Sequence, residues 1–109
     1  KKDIIIRGGE NISCLEVEEA IYANDDVSEC TVFGLPDDRY GEIVGVVYLP
    51  HSGKDLTEGD LAAFLETKLP PFKRPAKIWR ASETLPRLGT QKIDRKTLRE
   101  QYTKVYTAA

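Results

Sequence analysis

The chain has 109 residues, of which 40% are hydrophobic and 31% are charged, and its formal net charge is −2. This composition excludes a disordered tail and indicates one globular domain, because a chain of this length buries roughly two-thirds of its unfolded surface when it folds. The longest strongly apolar run, residues 43–49, is far shorter than the ~20 residues of a membrane-spanning helix, and no signal-peptide pattern opens the chain.

The first part of the chain predicts a short hairpin followed by a helix. Gly8-Gly9 separates two short runs and is typical of a tight turn. Ser13 and Glu16 have the spacing of a capping box, which predicts that a helix begins there and runs to about Ala23. The side chains predicted on its buried face are Val17, Ala20 and Ile21.

The middle of the chain predicts a pair of strands and a second helix. The β-rich runs 27–35 and 42–49 are separated by a charged turn segment that contains proline, so we expect them to pair antiparallel. Thr57 caps a helix that Pro70-Pro71 ends. The apolar positions with helical spacing in this helix are Leu61, Phe64, Leu65 and Leu69.

The last part predicts one further strand and a final helix. Residues 72–75 form a loop, residues 77–81 form a third strand, and a turn-rich stretch over residues 84–91 follows. Asp94 caps the last helix. Its apolar side chains are Leu98, Tyr102 and Val105. The order ββαββαβα predicts an α+β fold, in which three helices cover a small sheet made of the antiparallel pair, the third strand and the short N-terminal hairpin.

The charged residues are divided unevenly along the chain. Residues 1–67 carry 5 basic and 15 acidic side chains, a balance of −10, whereas residues 68–109 carry 11 basic and 3 acidic ones, a balance of +8. Either the basic part faces an anion, or the two parts neutralise each other across one small surface. Composition leaves both interpretations open.

The cysteines and the missing methionine bound the cellular setting. Cys14 and Cys30 are too few for a disulfide framework and lack metal-ligand spacing, so no metal site is predicted. Two buried reduced thiols favour the cytoplasm. Because the chain begins Lys1-Lys2-Asp3 and contains no methionine, we expect it to be part of a longer protein.

Three charged loops marked by glycine or proline are the candidate binding segments, since binding residues concentrate where backbone is exposed. They are residues 7–11, 72–75 and 87–92. Each loop is unspecific by itself. The chain has one histidine, His51, so a catalytic triad cannot be assembled convincingly, and it has no glycine-rich phosphate-binding motif.

Six short segments, taken in order, are more specific than any one of them. They are residues 2–12 (KDIIIRGGENI), 15–19 (LEVEE), 34–37 (GLPD) with 41–42 (GE), 72–75 (FKRP), 85–87 (LPR) and 90–95 (TQKIDR). Together they resemble the C-terminal domain of the acyl-adenylate-forming superfamily, the acyl-CoA synthetases and their relatives. The Gly-Gly-Glu-Asn segment is most similar to ligases that activate fatty or aromatic carboxylic acids.

The resemblance implies an ATP-dependent ligase that works in two steps. A carboxylate attacks the α-phosphate of ATP to give acyl-AMP and pyrophosphate, and the thiol of CoA then displaces AMP. Mg²⁺ is expected to accompany ATP. Residues 1–109 would be the mobile lid of this enzyme, inactive alone, which turns between the steps over one active site on a larger N-terminal adenylating domain absent from this chain. We expect no nucleic-acid partner and no membrane span.

The resemblance also assigns roles to individual residues. Lys92 matches the lysine of the adenylation step, and Lys2 matches the hinge. Gly8 and Gly9 are expected to line the pantetheine channel, where glycine lets a ligand approach the backbone closely. The expected contacts of the CoA nucleotide are Phe72, by stacking on adenine, Arg74, by a phosphate bond, and Lys77.

Two positions depart from the family pattern, and two alternative functions stay open. Gln91 stands where the family usually has glycine, and Ala76 stands where a basic residue is common, so Lys77 is expected to take that contact. One alternative is the C-terminal part of an adenylation domain that loads a carrier protein. The other is a free-standing anion- or nucleic-acid-binding module, which the scarcity of aromatic residues among the basic ones disfavours.

Overall fold

The computed structural model describes residues 3–108 and shows an α+β fold in the predicted element order. The strands are β1 (Ile4–Arg7), β2 (Glu10–Ser13), β3 (Val27–Asp37), β4 (Gly41–Pro50) and β5 (Lys77–Arg80). The helices are α1 (Cys14–Tyr22), α2 (Glu58–Glu66) and α3 (Arg95–Ala108). The predicted fold class is confirmed. A 3₁₀ turn at Pro71–Lys73 overlaps the start of the predicted loop at residues 72–75.

The five strands form one sheet in which β4 is central. The order is β2-β1-β4-β3, with antiparallel pairs throughout this path. β5 pairs with β4 in parallel, with Lys77 opposite Gly45 and Arg80 opposite Tyr48. Because β3 occupies one edge of β4 along nearly its whole length, β1 and β5 lie one after the other along the opposite edge. The N-terminal hairpin therefore belongs to the main sheet.

Alternating side chains of β3 and β4 build a core on each face of the sheet, as the period of two requires. The face covered by α1 and α2 contains Val17, Ile21, Cys30, Val32, Val44, Val46, Tyr48, Leu61 and Leu65. The face covered by α3 contains Phe33, Leu35, Ile43, Val47, Leu85 and Leu98. The apolar run in β4 is continuous because this strand is buried on both faces.

The helix caps agree with the sequence in part. Ser13 accepts a hydrogen bond from the backbone N–H of Glu16, but the Glu16 carboxylate binds the ammonium of Lys73 at 2.8 Å and so does not complete the predicted box. Thr57 begins α2 with a full capping box, and Asp94 accepts from the N–H of Thr97.

The prediction that Val105 lies on the packed side of the last helix is wrong. The side of α3 that packs on the sheet follows a spacing of four through Leu98, Tyr102 and Tyr106, which turns Val105 into solvent, where it is 48% exposed. Ala20 of α1 is only partly buried, while Val17 and Ile21 are fully buried as predicted.

Both cysteines are buried and reduced. Burial raises the pKa of the Cys14 thiol to about 11 and that of Cys30 to about 12, so neither forms a reactive thiolate near neutral pH. Residues 3–108 contain no helix with the length and hydropathy needed to cross a membrane. In the same span, no cluster of three or more His, Cys, Asp or Glu side chains has the arrangement of a metal site.

The ion pairs cross between the acidic and basic parts of the chain. All five that join described residues link an acid in residues 1–67 to a base in residues 68–109. They are Lys73–Glu16, Arg80–Asp55, Arg87–Glu29, Arg95–Asp3 and Arg95–Glu18. For these four basic residues, the positive charge is therefore neutralised by acidic side chains of the same chain.

Arg95 makes the most extensive of these networks. Its Nε donates to the carbonyl of Val32 at 2.9 Å, and its two Nη atoms donate to Asp3 and Glu18 at 2.7 Å each. Burial lowers the pKa of Arg95, but the hydrogen bond and the charge of Glu18 outweigh it, so the pKa is raised above its ordinary value. One guanidinium thereby connects the start of β1, α1, β3 and α3.

We predict that Arg95→Ala lowers the free energy of unfolding by about 2–3 kcal/mol, because it leaves the half-buried carboxylate of Glu18 without its cation. Arg99→Ala is the matched control, since Arg99 lies one turn later on α3, is exposed, and has no ion pair with any described residue. Its effect should stay within about 0.5 kcal/mol. Urea denaturation of the two variants measures the difference, and equal losses would contradict the central role of Arg95.

Candidate functional site

The hairpin at Gly8-Gly9 has a backbone that only glycine adopts without strain. Gly8 has φ +57° and Gly9 has φ +86°, which gives the left-handed turn that matches the twist of a two-residue hairpin. The N–H of Gly8 donates to the carbonyl of Tyr40 at 2.8 Å. The guanidinium of Arg7 lies 3.9 Å from the centre of the Tyr40 ring. The hairpin tip is thus fixed against the turn between β3 and β4.

The two glycines differ in the space around them. A Cβ atom on Gly8 would lie 3.2 Å from Cδ1 of Tyr40, whereas a Cβ atom on Gly9 would meet no described atom within 4 Å. Gly8 is therefore needed for packing as well as for its backbone angle. Gly9 leaves its backbone open to a molecule that approaches from outside the chain.

The segment around Phe72 is held by contacts within the chain. Phe72 is partly buried against the core on the α1 and α2 face. Arg74 donates from Nε to the carbonyl of Leu69 at 2.9 Å and from Nη2 to the carbonyl of Glu66 at 3.2 Å. The bond to Glu66 caps the last residue of α2, and the bond to Leu69 holds the turn that follows the helix. Its Nη1 makes no hydrogen bond within residues 3–108, and Lys77 is exposed.

We predict that Arg74→Ala destabilises the fold by about 1 kcal/mol, because two charge-assisted bonds to the carbonyls at the end of α2 are lost. Lys77→Ala, an exposed position on β5, should change stability by less than about 0.5 kcal/mol. Denaturant titration of both variants measures this. If Arg74→Ala is as stable as Lys77→Ala, the capping bonds contribute nothing.

Lys92 closes a small hairpin. The N–H of Leu88 donates to the carbonyl of Lys92 at 2.8 Å, and the N–H of Gln91 donates back to the carbonyl of Leu88 at 2.9 Å. Arg87 and Ile93 form an antiparallel bridge next to it. This pattern is a three-residue loop that ends in a left-handed residue, a position at which glycine is the usual choice.

Gln91 occupies that left-handed position with φ +72°, and it is the only non-glycine residue among those described whose φ is positive. Glutamine therefore adopts here a backbone conformation that glycine adopts more easily. Glutamine in this left-handed conformation has strain that glycine would not have.

We predict that Gln91→Gly raises the melting temperature by about 2–5 °C, because relief of the left-handed strain exceeds the added flexibility of glycine in the unfolded chain. The matched control is Gln101→Gly, the same substitution at an exposed position within α3, which should lower stability by about 1 kcal/mol. Thermal unfolding measures both. Shifts of the same sign would mean that residue 91 is not strained.

The side chain of Lys92 is exposed, and its ammonium has no hydrogen bond or ion pair with any residue in the described span.

The sequence did not identify the residue outside this loop that anchors it. This is Glu29, whose carboxylate forms an ion pair with Arg87 at 3.0 Å. An isolated glutamate within a predicted strand carries no motif that would have identified it.

The structure does not bring Lys92 and the glycine hairpin together. The Lys92 loop is anchored at Glu29 near the start of β3, while Gly8 is bonded just beyond the end of β3 at Tyr40. The extended chain from Glu29 to Asp37 separates these anchors by about 25 Å. Lys2, the predicted hinge, lies outside the described residues.

Two cavities of the described residues lie away from the candidate residues. One of about 290 Å³ is lined by Phe33, Arg95, Lys96 and Arg99 among others, and one of about 590 Å³ lies between the β4–α2 loop and β5. Neither of these two is lined by Lys92, the two glycines, Phe72, Arg74 or Lys77.

Comparison with known proteins gives matches over nearly the whole chain. The family described as AMP-binding enzyme C-terminal domain matches residues 16–92. Oxalate–CoA ligase of Arabidopsis thaliana is 36% identical over 93% of this chain and 20% of that enzyme. Long-chain-fatty-acid–CoA ligase FadD13 of Mycobacterium tuberculosis is 40% identical, with the same shares covered. The crystal structure of apo MatB from Rhodopseudomonas palustris aligns with a TM-score of 0.88 and 34% identity, over 96% of this chain and 21% of that one. The chain spans about a fifth of the length of the curated relatives it matches.

Proposed function

This chain belongs to the family of AMP-binding enzyme C-terminal domains, and from that membership we propose that it is the mobile C-terminal domain of an ATP-dependent acyl-CoA synthetase. The complete enzyme would convert a carboxylic acid, ATP and CoA into acyl-CoA, AMP and pyrophosphate through an acyl-AMP intermediate. Residues 1–109 would form one domain, inactive alone, that works with its own N-terminal adenylating domain. The names of the similar proteins, which are CoA ligases, support this proposal.

The observation that carries the proposal is the exposed, unpaired ammonium of Lys92 at the end of a closed hairpin. A lysine is a compact charge that stabilises negative charge on oxygen atoms as a transition state forms. In the first step the carboxylate attacks the α-phosphorus of ATP and pyrophosphate leaves. Lys92 stays protonated and donates to the oxygens that gain charge, and no internal ion pair has to be broken first.

The second step would use the opposite end of the sheet. The open backbone of Gly9 suits a channel for the narrow pantetheine arm of CoA. In the same orientation Phe72 would stack on adenine, and Nη1 of Arg74 and the ammonium of Lys77 would meet phosphate groups. Because the Lys92 loop and the glycine hairpin are anchored about 25 Å apart, one compact active site can meet only one of them at a time. The proposal therefore includes a rotation of this domain between the steps, with Lys2 as the pivot that the resemblance implies.

The substrates and the setting follow from the same proposal. ATP and CoA are the nucleotide substrates, and Mg²⁺ would accompany ATP. Buried reduced cysteines fit a cytoplasmic enzyme. The relatives' names favour free CoA over a carrier protein as the acyl acceptor.

We predict that Lys92→Ala in the full-length enzyme slows acyl-AMP formation about 10²–10³-fold and leaves thioester formation nearly unchanged, because Lys92 faces the site only in the adenylating orientation. Pyrophosphate release with ATP and acid measures the first step. Chemically prepared acyl-AMP supplied with CoA measures the second.

The matched control for this experiment is Lys96→Ala, which removes an exposed, unpaired lysine from the first turn of α3. Both of its half-reactions should stay at the level of the parent enzyme. Equal loss of both steps in Lys92→Ala would indicate a structural defect. No loss in either step would remove Lys92 from the active site.

A further inference from the structure

We propose that Glu29 is a positioning residue for Lys92, and that its carboxylate holds the segment over residues 84–92 so that the hairpin presents Lys92 in one orientation. The role of Lys92 in this inference rests on the proposed function. The hold on the hairpin is a property of this chain and is measurable without the rest of the enzyme.

Glu29 forms three contacts with this segment through both of its carboxylate oxygens. Oε1 accepts from the backbone N–H of Leu85 at 2.9 Å. Oε2 accepts from the hydroxyl of Thr84 at 2.8 Å and from Nη2 of Arg87 at 3.0 Å. The side chain of Glu29 is only 14% exposed, compared with 34% for Arg87. A carboxylate with this degree of burial and this number of donors is fixed in place.

Alternation along β3 gives Glu29 its direction. From Glu29 onward β3 pairs with β4 without interruption, so Glu29 lies on the same face as Phe33 and Leu35. The register shift between Val27 and Glu29 lies before this stretch and leaves Ser28 out of the ladder. Cys30 packs into the core on the α1 and α2 face, whereas Glu29 meets Leu85, which is buried on the α3 face.

Arg87 extends this hold to the hairpin itself. Its guanidinium, bound to Glu29 through Nη2, also reaches the carbonyl of Gln91 through Nη1 at 3.5 Å. Its backbone pairs with Ile93 on the other side of Lys92. Arg87 is thus bonded to both residues adjacent to Lys92, and Glu29 fixes the guanidinium that makes one of these bonds.

The expected consequence is a faster adenylation step. A charged group that arrives already oriented loses little freedom when the site closes, while a small misplacement costs on the order of 10²-fold in rate. A purely structural contact would instead affect the stability of the whole domain and both half-reactions alike.

The first experiment uses the 109-residue chain and measures ¹⁵N relaxation of residues 88–92. Glu29→Gln removes the charge paired with Arg87 and keeps an oxygen for the N–H of Leu85. The matched control is Asp55→Asn, which removes the exposed ion pair to Arg80 elsewhere in the fold. We expect greater backbone mobility over residues 88–92 in Glu29→Gln only, with β4 and α2 unchanged. Unchanged mobility over residues 88–92 would overturn the inference.

The second experiment measures both half-reactions in the full-length enzyme. Glu29→Gln should slow acyl-AMP formation about 10- to 100-fold and spare thioester formation. Glu29→Gln combined with Lys92→Ala should be no slower than Lys92→Ala alone, because a positioning residue acts only through the residue it positions. Equal loss of both half-reactions, or additive losses in the double variant, would overturn the inference. If Lys92→Ala itself leaves adenylation intact, the proposed function fails, and the relaxation measurement still decides whether Glu29 holds the hairpin.

Discussion

The guanidinium of Arg95 joins parts of the chain that sequence places far apart, namely Asp3 before β1, Glu18 in α1 and Val32 in β3. The short strand β1 has one backbone pair with β4, Arg7 with Gly41, and the bond from Arg95 to Asp3 is a further attachment for the start of the glycine hairpin. The same residue begins α3, three positions after Lys92. The guanidinium of Arg95 therefore connects the segment that leads into the glycine hairpin with the segment that follows the Lys92 hairpin.

The ion pairs divide the basic residues of the second part of the chain into those bound to an acid of the first part and those without such a partner among the described residues. Lys73, Arg80, Arg87 and Arg95 are each bound to acids from the first part of the chain. Lys92, on an exposed turn of the basic part, is left without such a partner among the described residues. A cation that has to act on a substrate in one step and withdraw in the next is best kept free of internal partners, because each pairing would have to be broken in every cycle.

Local patterns in the sequence predicted the elements well, and the contacts between distant elements were the part that it could not supply. Glycine turns, β-rich runs, helix caps and helical spacing predicted all five strands and three helices, since these signals reflect near neighbours along the chain. The parallel pairing of β5 with β4 joins residues some thirty positions apart, and no local signal specifies it.

Side-chain contacts between distant elements were not predicted either. Arg74 has the pattern of a free cation in a loop but caps α2, and Glu16 has the pattern of a helix cap but binds Lys73. The sequence did not predict the left-handed turn at residue 91, because glutamine, unlike glycine, is not typical of this backbone conformation. The roles of Lys92, Gly8, Gly9, Phe72, Arg74 and Lys77 came from the resemblance and stay predictions.

The side-chain bonds along β3 also bear on how the domain behaves in solution. β3 is the last strand of the sheet, and an eleven-residue edge is an open template for another strand. Here the hydroxyl of Tyr22 bonds both the N–H and the carbonyl of Cys30, while Glu18 accepts from the N–H of Val32 and Arg95 donates to its carbonyl. Pro36 offers no N–H further along. With the outward N–H and C=O groups of Cys30 and Val32 already bonded, this part of the edge is a poor template for the intermolecular strand addition that leads to aggregation.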